Sequence, residues 1–189
     1  DNRRTDIYGG NLAGRMRFGI EVTMAIRSAI GDFPFFWRLS AEHGLPGGHT
    51  LNESVQYGTE LVTAGVDVID VSYGHEEVYE AAPNRSISVC LNGDEPMGTF
   101  SSSYAQAFKR RLSIPVIAVG RINHLKVAEE ILSQGKADMI NVGRQLLADP
   151  YWPQKIASGA LEDINPCLAC NECILTFREE RAPIKCAVN

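Results

Sequence analysis

The sequence predicts an α/β fold with a parallel sheet, laid out as the C-terminal half of a (β/α)8 barrel. Three observations point there. Strand-length apolar runs alternate with amphipathic helical segments, which is the signal for βαβ units. The run Val66 to Ser72 is apolar without alternation (Val66, Val68, Ile69, Val71), as in a strand covered on both faces. Four such strand–helix units fit within 189 residues, whereas a whole barrel takes about 250. A small doubly wound α/β domain is the rival architecture, and periodicity alone does not separate the two.

The elements follow in order. Residues 12–30 predict a helix with Phe18, Val22, Ile26 and Ile30 four apart on one face, ended by Gly31-Asp32. Phe35 to Leu39 is a short strand, then a turn holds Gly44, Gly47 and Gly48. Thr50-Leu51-Asn52-Glu53 has the Thr-x-x-Glu form of a capping box, opening a helix that closes near Gly65. After the strand 66–72, residues 73–100 have no clear period; a loop that long in a regular pattern is either functional or disordered. A helix at about 102–111, the strand Ile114 to Val119, a helix at about 125–133 closed by Gly135, the strand Met139 to Val142 and a helix from Arg144 to before Asp149-Pro150 complete the pattern.

Composition narrows the function. With 44% apolar and 22% charged residues the chain is an ordinary globular one, and no apolar run approaches the ~20 residues of a membrane span. A net charge of −5 with scattered positive residues argues against nucleic acid as a partner. Four of the five cysteines fall in the last 23 residues, which suits a metal or cluster site in a reducing, cytoplasmic compartment better than a disulfide framework. The chain opens at Asp1 without an initiator Met and stops just after Cys186, which reads as an excerpt truncated at both ends. We divide it into a half-barrel, residues 1–160, and a cysteine-rich segment, 161–189.

In parallel α/β folds ligands sit at the C-terminal strand ends. Those positions hold Arg38, Ser40 and His43, then Ser72, Gly74 and His75, then Gly120-Arg121, then Gly143-Arg144. Two neighbouring strands ending in Gly-Arg suggest a phosphate site: glycine allows close backbone approach, a following helix N-terminus offers N–H groups, and arginine adds a charged fork. The plain alternative is two turn glycines beside two surface arginines. Arg38 follows Phe35-Phe36-Trp37, where surroundings should be apolar, and needs an anionic or electron-rich partner; a local carboxylate would also serve. The cysteines run Cys167-x2-Cys170-x2-Cys173-x12-Cys186, a spacing that suits zinc or a [4Fe–4S] cluster and does not choose between them. Cys90 stands apart as a bystander. His43, His49, His75 and His124 fall in or near turns, where solvated histidines are common, and only His75 follows a strand that should end in the pocket, as an acid/base candidate.

Together these motifs resemble the Old Yellow Enzyme family of NADH:flavin oxidoreductases. Asn2-x-Arg4-Thr5-Asp6-x-Tyr8-Gly9-Gly10, Asn11-x3-Arg15-x-Arg17-Phe18, Trp37-Arg38-Leu39-Ser40, Pro115 to Asn123, Ala137 to Arg144, Leu147-Ala148-Asp149-Pro150 and Cys186-Ala187-Val188-Asn189 carry the likeness. The cysteines resemble the iron–sulfur branch, which includes 2,4-dienoyl-CoA reductase, enoate reductases and trimethylamine dehydrogenase. The resemblance implies a barrel that binds FMN, a [4Fe–4S] cluster on Cys167, Cys170, Cys173 and Cys186, and FAD and NAD(P)H held by a further C-terminal nucleotide-binding region, with a missing N-terminal half-barrel and a small-molecule substrate. Arg38 would contact the flavin ring near N1 and O2. Arg121, Gly143 and Arg144 would hold the FMN phosphate, with Gly120 beside them. The implied reaction is reduction of an activated C=C bond, with oxidative N-demethylation of an amine second; outside enzymes, a phosphate-binding α/β module with a structural zinc competes. Dienoyl-CoA reductases usually place one more residue between the second and third cysteines. Here the spacing is that of the trimethylamine dehydrogenase branch, and Phe177 falls where that branch has a substrate-bowl aromatic. His75-Glu76 lies within one residue of the reductases' His-Glu pair, so the branch stays open.

Overall fold

The computed structural model describes residues 2–44, 46–73, 99–178 and 181–189. Its strands are β1 (Phe36–Ser40), β2 (Val68–Ser72), β3 (Val116–Val119) and β4 (Met139–Asn141). Its helices are α1 (Leu12–Ile30), α2 (Leu51–Thr63), α3 (Thr99–Lys109), α4 (Leu125–Ser133), α5 (Arg144–Ala148), α6 (Trp152–Ser158) and α7 (Glu172–Arg178), with a 3-10 turn at Leu161–Asp163. The sequence reading did not include α6, the 3-10 turn or α7. They are too short for a hydrophobic period to show.

All strand pairs are parallel and the order across the sheet is β1-β2-β3-β4. Among the described residues nothing reverses that order, so these strands form no switch point of the doubly wound kind. Pleating sends alternate side chains to opposite faces. Trp37, Leu39, Ile69, Val71, Val116, Ala118 and Ile140 join the core with helix residues such as Leu61, Phe108 and Ile131. Phe36, Arg38, Asp70, Ile117, Met139 and Asn141 point the other way and contribute nothing to that core. Among the described residues helices cover one face only, as in the wall of a barrel.

Local signals explain the starts and stops. The Thr50 side chain accepts from the Glu53 backbone N–H, and the Glu53 carboxylate accepts in return from the Thr50 N–H, completing the capping box of α2. Asn11 caps α1 by accepting from the Gly14 N–H. β2 is buried along its first four residues, as expected of a central parallel strand.

One periodicity reading is corrected. The face of α1 turned inward carries Met16 and Thr23, while Phe18 is 65% exposed and Ile30 is also on the surface. α1 packs against α2 through small residues: a Cβ on Gly19 would lie 1.6 Å from the Tyr57 hydroxyl. Thr23 satisfies its own hydroxyl on the Gly19 carbonyl at 2.8 Å. Backbone proximity, rather than side-chain bulk, decided which way the helix turned, and Phe18 packs edge-on against Tyr8 instead.

Asp149 ties the end of the sheet layer to the segment that follows. It is 2% exposed, and its carboxylate accepts from Lys155 Nζ (2.6 Å), the Asn165 N–H (3.0 Å) and the Tyr151 N–H (3.1 Å). The Lys155 ammonium holds its carboxyl below the usual carboxylate range, and the backbone donors act in the same direction. A carboxyl depressed in the folded state stabilises fully above its unfolded value of about 3.9, and loses that contribution as pH falls through the folded value. Asp149→Asn is therefore expected to lower the thermal midpoint of the full-length protein by several degrees at neutral pH. The gap should close as the pH drops from about 5 towards 3. A constant gap across that range would assign the effect to packing instead of charge.

Candidate cofactor site

The two Gly-Arg strand ends meet. An open cleft of about 200 Å3 at the C-terminal ends of β3 and β4 is lined by Gly120, Arg121, Asn123, Gly143, Arg144 and Cys167, among others. Gly120 has φ 127, which favours glycine, and Arg121 itself sits in the left-handed region at φ 48. A non-glycine residue held there is a conformation usually retained for a site. At Gly143 a Cβ would meet no atom of the described residues within 4 Å, so packing among them does not account for the missing side chain. The expected helix N-terminus contributes little, because α5 has only five residues. Positive charge in the cleft comes from the two guanidinium groups.

Arg38 does not stand in apolar surroundings as expected. Its side chain is 56% exposed on the uncovered face and pairs with Asp70 at 2.8 Å, one strand over in register. The carboxylate reading of its partner is the one the structure shows. Asp70 Oδ2 also accepts from Asn141 Nδ2 at 3.1 Å, reached across β3. Asp70 Oδ1 is buried and has no hydrogen-bond partner among the described residues. Asp70 and Asn141 were missed from the sequence. The available signal was a carboxylate inside the apolar run Val68-Ile69-Asp70-Val71.

All four cysteines are free thiols and line a second, smaller cavity together with Arg144 and Leu147. Ala169 (φ 55) and Asn171 (φ 65) bracket Cys170 with left-handed backbone, turning the loop tightly around that cavity. Burial pushes the Cys173 thiol up, opposed by the Arg144 guanidinium and reinforced by Cys167. Among the described residues no three His, Cys, Asp or Glu side chains form a ready-made ligand group for one ion. Arg144 and Cys167 belong to both cavities. Asn123 and Gln145 also bond this segment; the sequence reading named neither as a site residue, although Gln145 adjoins one Gly-Arg pair and Asn123 lies two residues beyond the other.

The remaining candidates separate. His75 and Cys90 lie outside the described residues. His43 is buried rather than solvated, and its ring stacks on His49 with centroids 5.9 Å apart. Burial pushes the His49 imidazole down, and His43 adds to the shift. Phe177 is 64% exposed. No helix among the described residues is long and apolar enough to cross a membrane.

A model of the NADH:flavin oxidoreductase / NADH oxidase family matches residues 1–163. The chain belongs to that family. A metal reductase from Desulforamulus reducens is 40% identical over 189 residues, covering 100% of this chain and 27% of the relative. Among solved structures, a 2-naphthoyl-CoA reductase in complex with 2-naphthoyl-CoA superposes with a TM-score of 0.89 at 30% identity, covering 100% of this chain and 28% of that one. Histamine dehydrogenase from Rhizobium sp. 4-9 follows, with a TM-score of 0.80 at 30% identity, covering 99% and 26%. The chain thus spans about a quarter of the length of these relatives.

Proposed function

We propose that this chain carries the phosphate end of an FMN site and the ligands of a [4Fe–4S] cluster, within a larger enzyme that reduces an activated C=C bond, such as that of an enoate or dienoyl-CoA, with NAD(P)H as the electron source. The observation that carries the reading is one cleft holding both Gly-Arg strand ends, with Cys167 in the wall it shares with the cysteine cavity. The residues fit the cofactor. Two guanidinium groups suit a phosphate dianion, the open space at Gly143 suits a ligand lying against backbone, and the orphaned Asp70 Oδ1 suits a donor from outside the described residues.

FMN bound there supplies a hydride acceptor and donor. Arg121, Gly120, Gly143 and Arg144 bind its phosphate. Arg38, paired with Asp70, would hold positive charge on the uncovered face, where it would favour the anionic reduced form of a bound flavin. Cys167, Cys170, Cys173 and Cys186 would hold the cluster, whose chemistry when bound would be single-electron transfer. His75 is the acid/base residue of this reading. We assign residues 1–160 to the half-barrel and 161–189 to the cluster segment, with FAD and NAD(P)H on a further region and a cytoplasmic location. Amine dehydrogenation is the second reading, favoured by the cysteine spacing and by the likeness to a histamine dehydrogenase.

An anaerobic visible spectrum of the full-length protein, with iron, zinc and acid-labile sulfide analysis, tests this. Flavin bands with about four irons per chain and no zinc are expected. A colourless protein with one zinc would leave only a phosphate-binding barrel. Turnover of enoyl thioesters against methylamines then separates the two reactions.

A further inference from the structure

Cys167 is held by the barrel from both sides. Its backbone N–H donates to Gln145 Oε1 at 2.8 Å, and its carbonyl accepts from Asn123 Nδ2 at 2.9 Å. Gln145 Nε2 donates in turn to the Asn165 carbonyl at 2.9 Å, two residues upstream. Gln145 is 3% exposed and Asn123 is 9% exposed, so neither amide competes with bulk water for these bonds. The two bonds pin the two peptide planes that flank the Cys167 Cα. Because peptide groups are rigid, fixing both planes fixes φ and ψ, and with them the direction of the Cα–Cβ bond that carries the thiol.

The origin of the two side chains matters. Asn123 lies two residues beyond Arg121 after β3, and Gln145 immediately follows Arg144 after β4. The loops that present the arginines to the cleft therefore also aim Cys167 at the second cavity. Nothing in the phosphate-binding role requires those amides to face the cysteine segment.

We propose that Asn123 and Gln145 are positioning residues for the metal centre, locking the Cys167 thiol in the wall between the two cavities so that metal retention depends on the strand ends of β3 and β4. This rests on the reading that the four cysteines hold a metal centre. It makes the cysteine segment a part of the barrel's site instead of an independently folded metal knuckle, because one ligand takes its orientation from barrel side chains.

The test compares full-length wild type with Gln145→Met, which removes the bonds to Cys167 and Asn165, and Asn123→Ala, which removes one bond. Metal bound on isolation, its release rate to excess chelator, and the electron paramagnetic resonance of the reduced centre (or cobalt-substituted spectra if the metal is zinc) are measured. Both variants are expected to release metal about 10- to 100-fold faster, with shifted spectra. Release at the wild-type rate would overturn the proposal. So would faster release with an unchanged spectrum, which reports a loosened fold. Should Gln145→Met not fold, Asn123→Ala decides alone. Zinc in the wild type would sink the iron–sulfur reading but not this one, since release is read for either metal.

Discussion

Arg38→Met in the full-length protein is expected to lower turnover by about 100- to 1,000-fold, the usual loss when a charge aimed at developing negative charge is removed from a site. The fold should survive the change. Arg38 is more than half exposed, but Asp70 is 12% exposed, so some stability is lost with its partner and the thermal midpoint is measured beside turnover. What is lost is the cation on the uncovered face of the sheet, with Asp70 left as an uncompensated carboxylate beside it. Both effects disfavour negative charge on a bound flavin, so sulfite, which adds to the oxidised ring and leaves it anionic, should bind more weakly. Asp70→Asn separates the contributions: it keeps a side chain beside Arg38 while removing the negative charge, and should strengthen sulfite binding. Unchanged sulfite affinity in Arg38→Met would remove Arg38 from the flavin site.

Cys186→Ala is expected to be as severe by a different route. Cys186 comes from beyond α7, yet lines the same cavity as the three closely spaced cysteines. Losing one of four ligands should strip most of the iron and reduce NAD(P)H-driven turnover by more than about 100-fold. Flavin reduced chemically, by dithionite, should still pass its electrons to substrate, because Cys186 lines the cysteine cavity and not the Gly-Arg cleft. Full iron and full turnover in Cys186→Ala would mean that the fourth ligand lies elsewhere.

Much of the fold was legible because its signals are local. The Thr50–Glu53 capping box, the apolar run of β2 and the helix 125–133 depend on neighbours a few residues apart, and all appear where the sequence places them. The bounds of α1 matched the sequence, but its packing face did not, because that face is set by Gly19 against Tyr57 and by Thr23, residues whose small size is informative only once the opposing helix is known. Arg38 was noticed for its charge, but its carboxylate partner lies 32 residues away.

Residue pattern alone was enough to show a parallel α/β chain with two Gly-Arg strand ends, an arginine on its first strand and four closely grouped cysteines. Its motifs were enough to point to the family. Tertiary structure alone decided the rest: that the strands run in unbroken order with helices on one face, that both Gly-Arg pairs open on one cleft, that Asp70 and Asn141 orient Arg38, and that Asn123 and Gln145 grip Cys167. The physical reason is range. Capping, periodicity and ligand spacing act along the chain, whereas a hydrogen bond between residues 22 or 44 positions apart exists only after the sheet has brought its strand ends together.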